Sequence, residues 1–294
     1  LFGQYLIDGL ALGSVYAVLA LSYTLIFGVI RVVNFAQGEM ITLGAFGALG
    51  AWVLCAPLPP PLRVAAMLLG SVAGSAFLAL IMERFLFRPL LKRSSPSLIG
   101  LICSLGVSLF MQNVMRMAIS SSDVLFPALL PSEPYTVHGY QVAPVQIVLL
   151  AAVAFFGTAT YWFVEKTRFG VSIMAVRDNP ELATTGGISV PRVLKGVFLA
   201  ASVLAAGGGV MMGSYYGVAR YDMGFFPGIK AFTASIMGGI GNVRGAVLSG
   251  LLLGVVESLG SAYISSAYKD GFAFALLVII LLFRPQGLLG GVKE

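Results

Sequence analysis

Long apolar runs alternate with short polar or basic segments along almost the whole chain. A helix that crosses a bilayer needs about 20 mainly apolar residues. Runs of that kind extend from Tyr5 to Ile30, Leu62 to Met82, Ser97 to Met117, Pro144 to Val164 and Val193 to Tyr216. Another reaches about Tyr263, and Tyr268 to Phe283 forms a shorter last one. The pattern predicts an all-α fold, a polytopic transmembrane helical bundle with about eight or nine crossings. A barrel would instead alternate apolar and polar positions over about ten residues. Residues 1–294 form one transmembrane domain on this reading.

Two apolar stretches are interrupted. The first interruption, Arg31 to Glu39, places Asn34, Gln37 and Glu39 beside a span. The second lies within Ala231 to Glu257, where Gly238, Gly239, Gly241 and Gly245 surround Asn242 and Arg244. Irregular backbone cannot face acyl chains, which offer no hydrogen-bond partners, so each break is wrapped in protein or lines a watery cavity. Broken or re-entrant segments in both halves of a chain mark a solute route in transporters. Asn34, Gln37, Glu39, Asn242 and Arg244 are therefore candidate translocation-path residues. An alternative stays open at this level: caps and ion pairs that only hold the breaks together. Asp8 and Glu257 are further ionisable residues at or near membrane depth.

Composition agrees with a membrane protein: 58% of residues are hydrophobic and 10% charged, against about 25% charged in ordinary soluble domains. The formal charge of +6 does not point to nucleic acid, because the basic residues gather in a few loops between spans. Enrichment of Lys and Arg marks cytoplasmic loops. Arg84, Arg88, Lys92 and Arg93 mark one, and Lys166, Arg168, Arg177, Arg192 and Lys195 mark another. Residues 118–143 lack Lys and Arg and read as an external loop with little regular structure, in which His138 is solvated. The N-terminus then faces outward, and the tail with Arg284 and Lys293 faces the cytoplasm. No small-residue cleavage pattern follows the first run, so a removed signal peptide is not expected.

The cytoplasmic loop over residues 165–195 is the longest basic one. Ser172 to Gly187 is expected to form a short helix outside the membrane, ended by Gly186-Gly187, with Pro191 starting the next span. Gly217 to Gly228 reads as a loop. The pairs Gly9/Gly13, Gly70/Gly74 and Gly209/Gly213 are spaced for close helix approach.

Catalytic signals are missing. There is no G-x-x-x-x-G-K-[ST] for nucleotide and no H-E-x-x-H, and Cys55 and Cys103 are not spaced as C-x-x-C. No catalytic residue, metal site or cofactor is expected in this chain. An intramembrane enzyme has no nucleophile–base pair to support it, whereas a stand-alone channel or secondary carrier is compatible with the spans alone.

Three separated segments resemble one family in order: Val33-Asn-Phe-Ala-Gln-Gly-Glu39, Ala175-Val-Arg-Asp-Asn-Pro-Glu-Leu-Ala183, and the long stretch from Lys230 to Gly250. With the Arg284-Pro-Gln-Gly287 tail, they are similar to permease subunits of bacterial branched-chain amino-acid ABC importers. Related permeases carry urea and short amides, which the resemblance leaves open. It implies an inner-membrane importer built with a homologous second permease subunit, two cytoplasmic ATPase subunits that bind ATP and Mg, and a periplasmic binding protein. Glu181-Leu-Ala183 followed by Gly187 is similar to the coupling loop of such importers, with Leu182 where the pattern has Ala. Arg177, Asp178, Glu181, Ala183 and Gly187 are the coupling residues the resemblance implies.

Overall fold

A computed structural model of the chain describes residues 2–92, 96–131, 133–137, 139–284 and 286–290. His138, Arg93 and Lys293 lie outside the described residues. The helices are α1 (Phe2–Ile30), α2 (Gln37–Leu54), α3 (Pro60–Ile81), α4 (Arg88–Lys92), α5 (Ser97–Ala118) and α6 (Pro144–Lys166). They continue as α7 (Arg168–Asp178), α8 (Pro180–Thr185), α9 (Val190–Tyr216), α10 (Phe225–Gly238), α11 (Val243–Tyr263) and α12 (Lys269–Phe283). Short strands β1 (Val124–Leu125), β2 (Tyr135–Val137), β3 (Tyr140–Val142) and β4 (Val218–Ala219), a π-helical turn (Met82–Phe87) and a 3-10 turn (Ser266–Tyr268) complete the described elements.

Among the described residues, seven helical stretches are long and apolar enough to cross a membrane: α1, Pro60–Leu91, α5, α6, α9, α11 and Ser266–Phe283. The chain is thus a helical, polytopic membrane protein. With 14 residues, α10 extends about 21 Å at 1.5 Å per residue, short of the roughly 30 Å hydrocarbon core.

Several boundaries differ from the sequence expectation. The first basic loop is largely helical: α3 runs through a π-helical turn, Met82–Phe87, into α4. Phe87, fully buried, packs on Phe198 there with ring centroids 5.3 Å apart. The single helix expected over Ser172 to Gly187 is two helices. Asn179 adopts extended backbone, and its side chain caps α8 by accepting from the Glu181 and Leu182 N–H groups. Pro180 occupies the first turn, where its missing N–H costs nothing. The Gly217 to Gly228 loop ends early, because α10 starts at Phe225 with Pro227 in its first turn. The segment between α5 and α6 carries the hairpin β2–β3, and β1 pairs antiparallel with β4.

Two compact units make up the chain. The first comprises Leu1–Thr24, Ala128–Tyr161 and Lys230–Glu294. In it α1 and α11 run antiparallel along a seam of small residues. A methyl added to Gly13 would lie 2.7 Å from Leu251 O, and one added to Gly250 would lie 2.4 Å from Ala17 Cα. Asp8 accepts a 2.7 Å hydrogen bond from Gln146 of α6. The second unit comprises Leu25–Pro127 and Trp162–Ile229. Its centre is the packing of α2 against α3 and α9. Gly47 and Gly70 meet backbone to backbone, Gly209 meets Ile41 O, and the hydroxyls of Ser71 and Ser75 donate to Ala206 O and Met40 O. Small residues let the helices close to this distance, and each buried hydroxyl donates to a carbonyl rather than standing unpaired.

Candidate functional site

Both expected breaks exist. In the second unit the chain leaves helix at Arg31, whose φ of 55° is left-handed, and re-enters at Gln37. Asn34 shapes the turn: its Oδ1 accepts from the Ala36 N–H at 3.1 Å, and its Nδ2 donates to Gln37 Oε1 at 3.3 Å. Neighbouring α5 braces the irregular backbone, with Ser104 Oγ accepting from the Phe35 N–H and donating to Leu101 O.

Glu39 stands in the first turn of α2, where a helix N-terminus favours negative charge. It is 1% exposed. Its Oε1 accepts from Ser108 Oγ at 2.8 Å and from Gln112 Nε2 at 3.0 Å, while its Oε2 has no hydrogen-bond partner among the described residues. Beside it, Gly38 and Gly224 are in backbone contact, and the Gly224 N–H donates to Thr42 Oγ1. Thus Asn34, Gln37 and Glu39 are buried together in one unit. Ser104, Ser108 and Gln112, which position the break and its carboxylate, look from sequence like ordinary members of a span. Their spacing at positions i, i+4 and i+8 on one helical face is the signal that could have found them.

In the first unit α10 and α11 form a tight helical hairpin closed by Gly239 to Asn242. Gly239 and Gly241 have φ of 100° and 80°, conformations that glycine adopts without steric cost. Asn242 caps α11 by accepting from the Gly245 N–H at 3.0 Å, and its Nδ2 donates to Gly290 O. The Leu288 N–H donates to Met237 O, so the C-terminal segment seals the break. Gly238 and Gly245 touch through backbone alone, and Ser249 Oγ reaches across to Ala234 O. Arg244 differs from the other candidates: it is exposed and donates to Tyr161 OH at 2.6 Å.

A buried ionic cluster in the same unit was not foreseen. Lys230 of α10, Glu257 of α11, Tyr16 of α1 and Asp270 of α12 meet within it. Lys230 lies in an apolar stretch, and that placement was the available signal.

On the segment expected to couple to ATPase subunits, Arg177 and Asp178 pair at 3.2 Å. Ala183 is buried, whereas Glu181 is exposed and Leu182 is 67% exposed. Gly187, at φ 84°, ends the turn, with the Ile188 N–H returning to Ala183 O. The result is a six-residue helix that holds one apolar side chain outward.

Residues 5–281 match the family described as branched-chain amino acid transport system / permease component. The chain belongs to that family. It is 36% identical to the high-affinity branched-chain amino acid transport system permease protein LivH of Escherichia coli, over 98% of this chain and 96% of the relative. It is 35% identical to the corresponding permease protein BraD of Pseudomonas aeruginosa, over 98% of this chain and 95% of the relative. Members of this permease family are the membrane-embedded components of ABC importers, which work with ATPase and binding-protein partners.

Proposed function

We propose that this chain is the permease subunit of an ATP-driven importer that moves branched-chain amino acids across the bacterial inner membrane by alternating access. The observation that carries the reading is the pair of helix breaks, each fixed by polar side chains and backbone-to-backbone glycine contacts. Broken helices at depth border solute routes in transporters. Glu39, with one oxygen held by α5 and the other unpaired among the described residues, supplies a polar point for a zwitterion along that route. Asn34, Gln37 and Asn242 keep the breaks in shape. The substrate class is taken over from the LivH and BraD relatives.

The partners are a homologous second permease subunit, two cytoplasmic ATPase subunits and a periplasmic binding protein. ATP and Mg bind the ATPase subunits, and this chain performs no covalent chemistry. The N-terminus faces outward, and α7–α8, with the basic residues around them, face the cytoplasm. Closure of the ATPase subunits pushes on Leu182 and Glu181 and is passed through α7 and α9 to the spans. Uptake of labelled leucine by a strain lacking the chain, restored by its gene, tests the substrate class. Competition by isoleucine and valine but not by urea is the expected result; competition by urea alone would overturn it.

A further inference from the structure

We propose that a groove between α6 and α11 seats an anionic phospholipid, with Arg244 holding its phosphate. The groove encloses about 410 Å³. Its walls are apolar, formed by Val153 and Gly157 of α6 and by Val247 and Leu248 of α11. Gly157 opens it, since a glycine there adds no side chain and a methyl would already lie 3.3 Å from Val247 Cγ2. Along both helices the lining ends on a polar pair. Tyr161 is the last lining residue of α6, and Arg244 lies at the start of the α11 lining.

Arg244 stacks on the Tyr161 ring with its guanidinium carbon 4.6 Å from the centroid and donates to its hydroxyl. A guanidinium carries five N–H donors. Among the described residues no carboxylate pairs with Arg244. A cation beside an apolar groove is complementary to a molecule with an anionic head and an apolar tail.

The depth agrees. Tyr161 lies five residues before the end of α6 at Lys166, about 7.5 Å along the helix. Tyr and Trp gather at that interfacial level, and the adjacent Trp162 is 62% exposed. Phe155, also on α6, is 66% exposed, so the helix presents a broad apolar surface to lipid. Basic pockets between transmembrane helices on the cytoplasmic side take anionic lipid headgroups.

The test is native mass spectrometry of the assembled transporter, titrated with phosphatidylglycerol and, in parallel, phosphatidylcholine. Wild type should retain phosphatidylglycerol about fivefold more strongly, the preference one basic residue confers. Arg244→Gln should abolish the preference and Arg244→Lys should restore most of it. Thr158→Phe, on the exposed rim, should lower retention of both lipids. Equal retention of the two lipids by wild type, or an unchanged preference in Arg244→Gln, would overturn the proposal. Disulfide capture of Thr158→Cys by the second permease subunit would overturn it too, by assigning the groove to protein. If Arg244→Gln fails to assemble, unchanged retention by Thr158→Phe would be sufficient to reject it.

Discussion

Lys230 Nζ lies 2.9 Å from Glu257 Oε1, and their side chains are 7% and 0% exposed. The same oxygen accepts from Tyr16 OH at 3.1 Å and lies 3.2 Å from Lys269 Nζ, while Lys230 also reaches Asp270 at 2.7 Å. One carboxylate oxygen therefore joins α1, α10, α11 and α12. Removing such charges from water is costly, and their mutual attraction offsets that cost only while both partners are present. The cluster fixes the short helix α10, which cannot cross a bilayer by itself, to three longer helices.

Deleting one partner leaves the other buried with a single part-exposed counter-charge, Lys269 for Glu257 or Asp270 for Lys230. Lys230→Met should lower stability by up to about 3 kcal/mol, and Glu257→Leu should do the same. The double replacement should cost much less than the sum. Denaturation of the purified complex in detergent measures all three. Additive losses would mean that the two residues do not act as a pair.

The glycine contacts make a second contrast. A methyl on Gly245 would lie 1.9 Å from Gly238 O, whereas one on Gly106, also within a helix, meets nothing within 4 Å. Gly245→Ala should prevent assembly of the α10–α11 hairpin and abolish membrane yield. Gly106→Ala should be neutral or stabilising by up to ~1 kcal/mol, since alanine favours helix. Thermal melts and membrane yield of the two variants provide the comparison.

The proposed coupling role of α8 is tested by separating two rates. Ala183→Pro removes the N–H that donates to Asn179 O, and Glu181→Arg reverses the exposed charge. Both should leave ATP hydrolysis running while uptake falls severalfold. Asn179→Ala removes the cap of α8 and should have a weaker effect of the same kind, corresponding to the ~1 kcal/mol of a lost N-cap. Parallel ATPase and uptake assays decide, and wild-type values in both for Glu181→Arg and Ala183→Pro would remove α8 from the coupling path.

Glu39 offers a direct probe of the proposed route. Glu39→Gln keeps the size of the side chain and its contacts with Ser108 and Gln112 but removes the charge. Uptake should fall roughly tenfold, ~1.4 kcal/mol, with assembly and binding-protein docking intact. Unchanged uptake would confine Glu39 to bracing the break.

The helical class was legible because lipid requires long apolar runs, and the breaks were legible because glycine and amide residues interrupt those runs. The Gly9/Gly13 and Gly70/Gly74 spacings likewise foretold close helix contacts, with α11 and α2 respectively. Partners across the chain were not legible. Lys230 and Glu257 stand on different helices, and nothing local to either names the other. Asn179 and Pro180 did carry the split between α7 and α8 in sequence, as an N-cap followed by an N1 proline, but helical periodicity on both sides masked it. Ser108 and Gln112 were hidden for a related reason, since a polar face within an apolar span shows its purpose only when the opposing carboxylate is in place.

The most direct test of the central claim is labelled-leucine uptake into proteoliposomes holding this chain, its homologous permease partner and the ATPase subunits, with the binding protein outside and ATP sealed inside. Accumulation above the external concentration that requires both ATP and the binding protein is the expected result. Equilibration at the same rate without ATP would contradict it and would make the chain a passive channel or carrier.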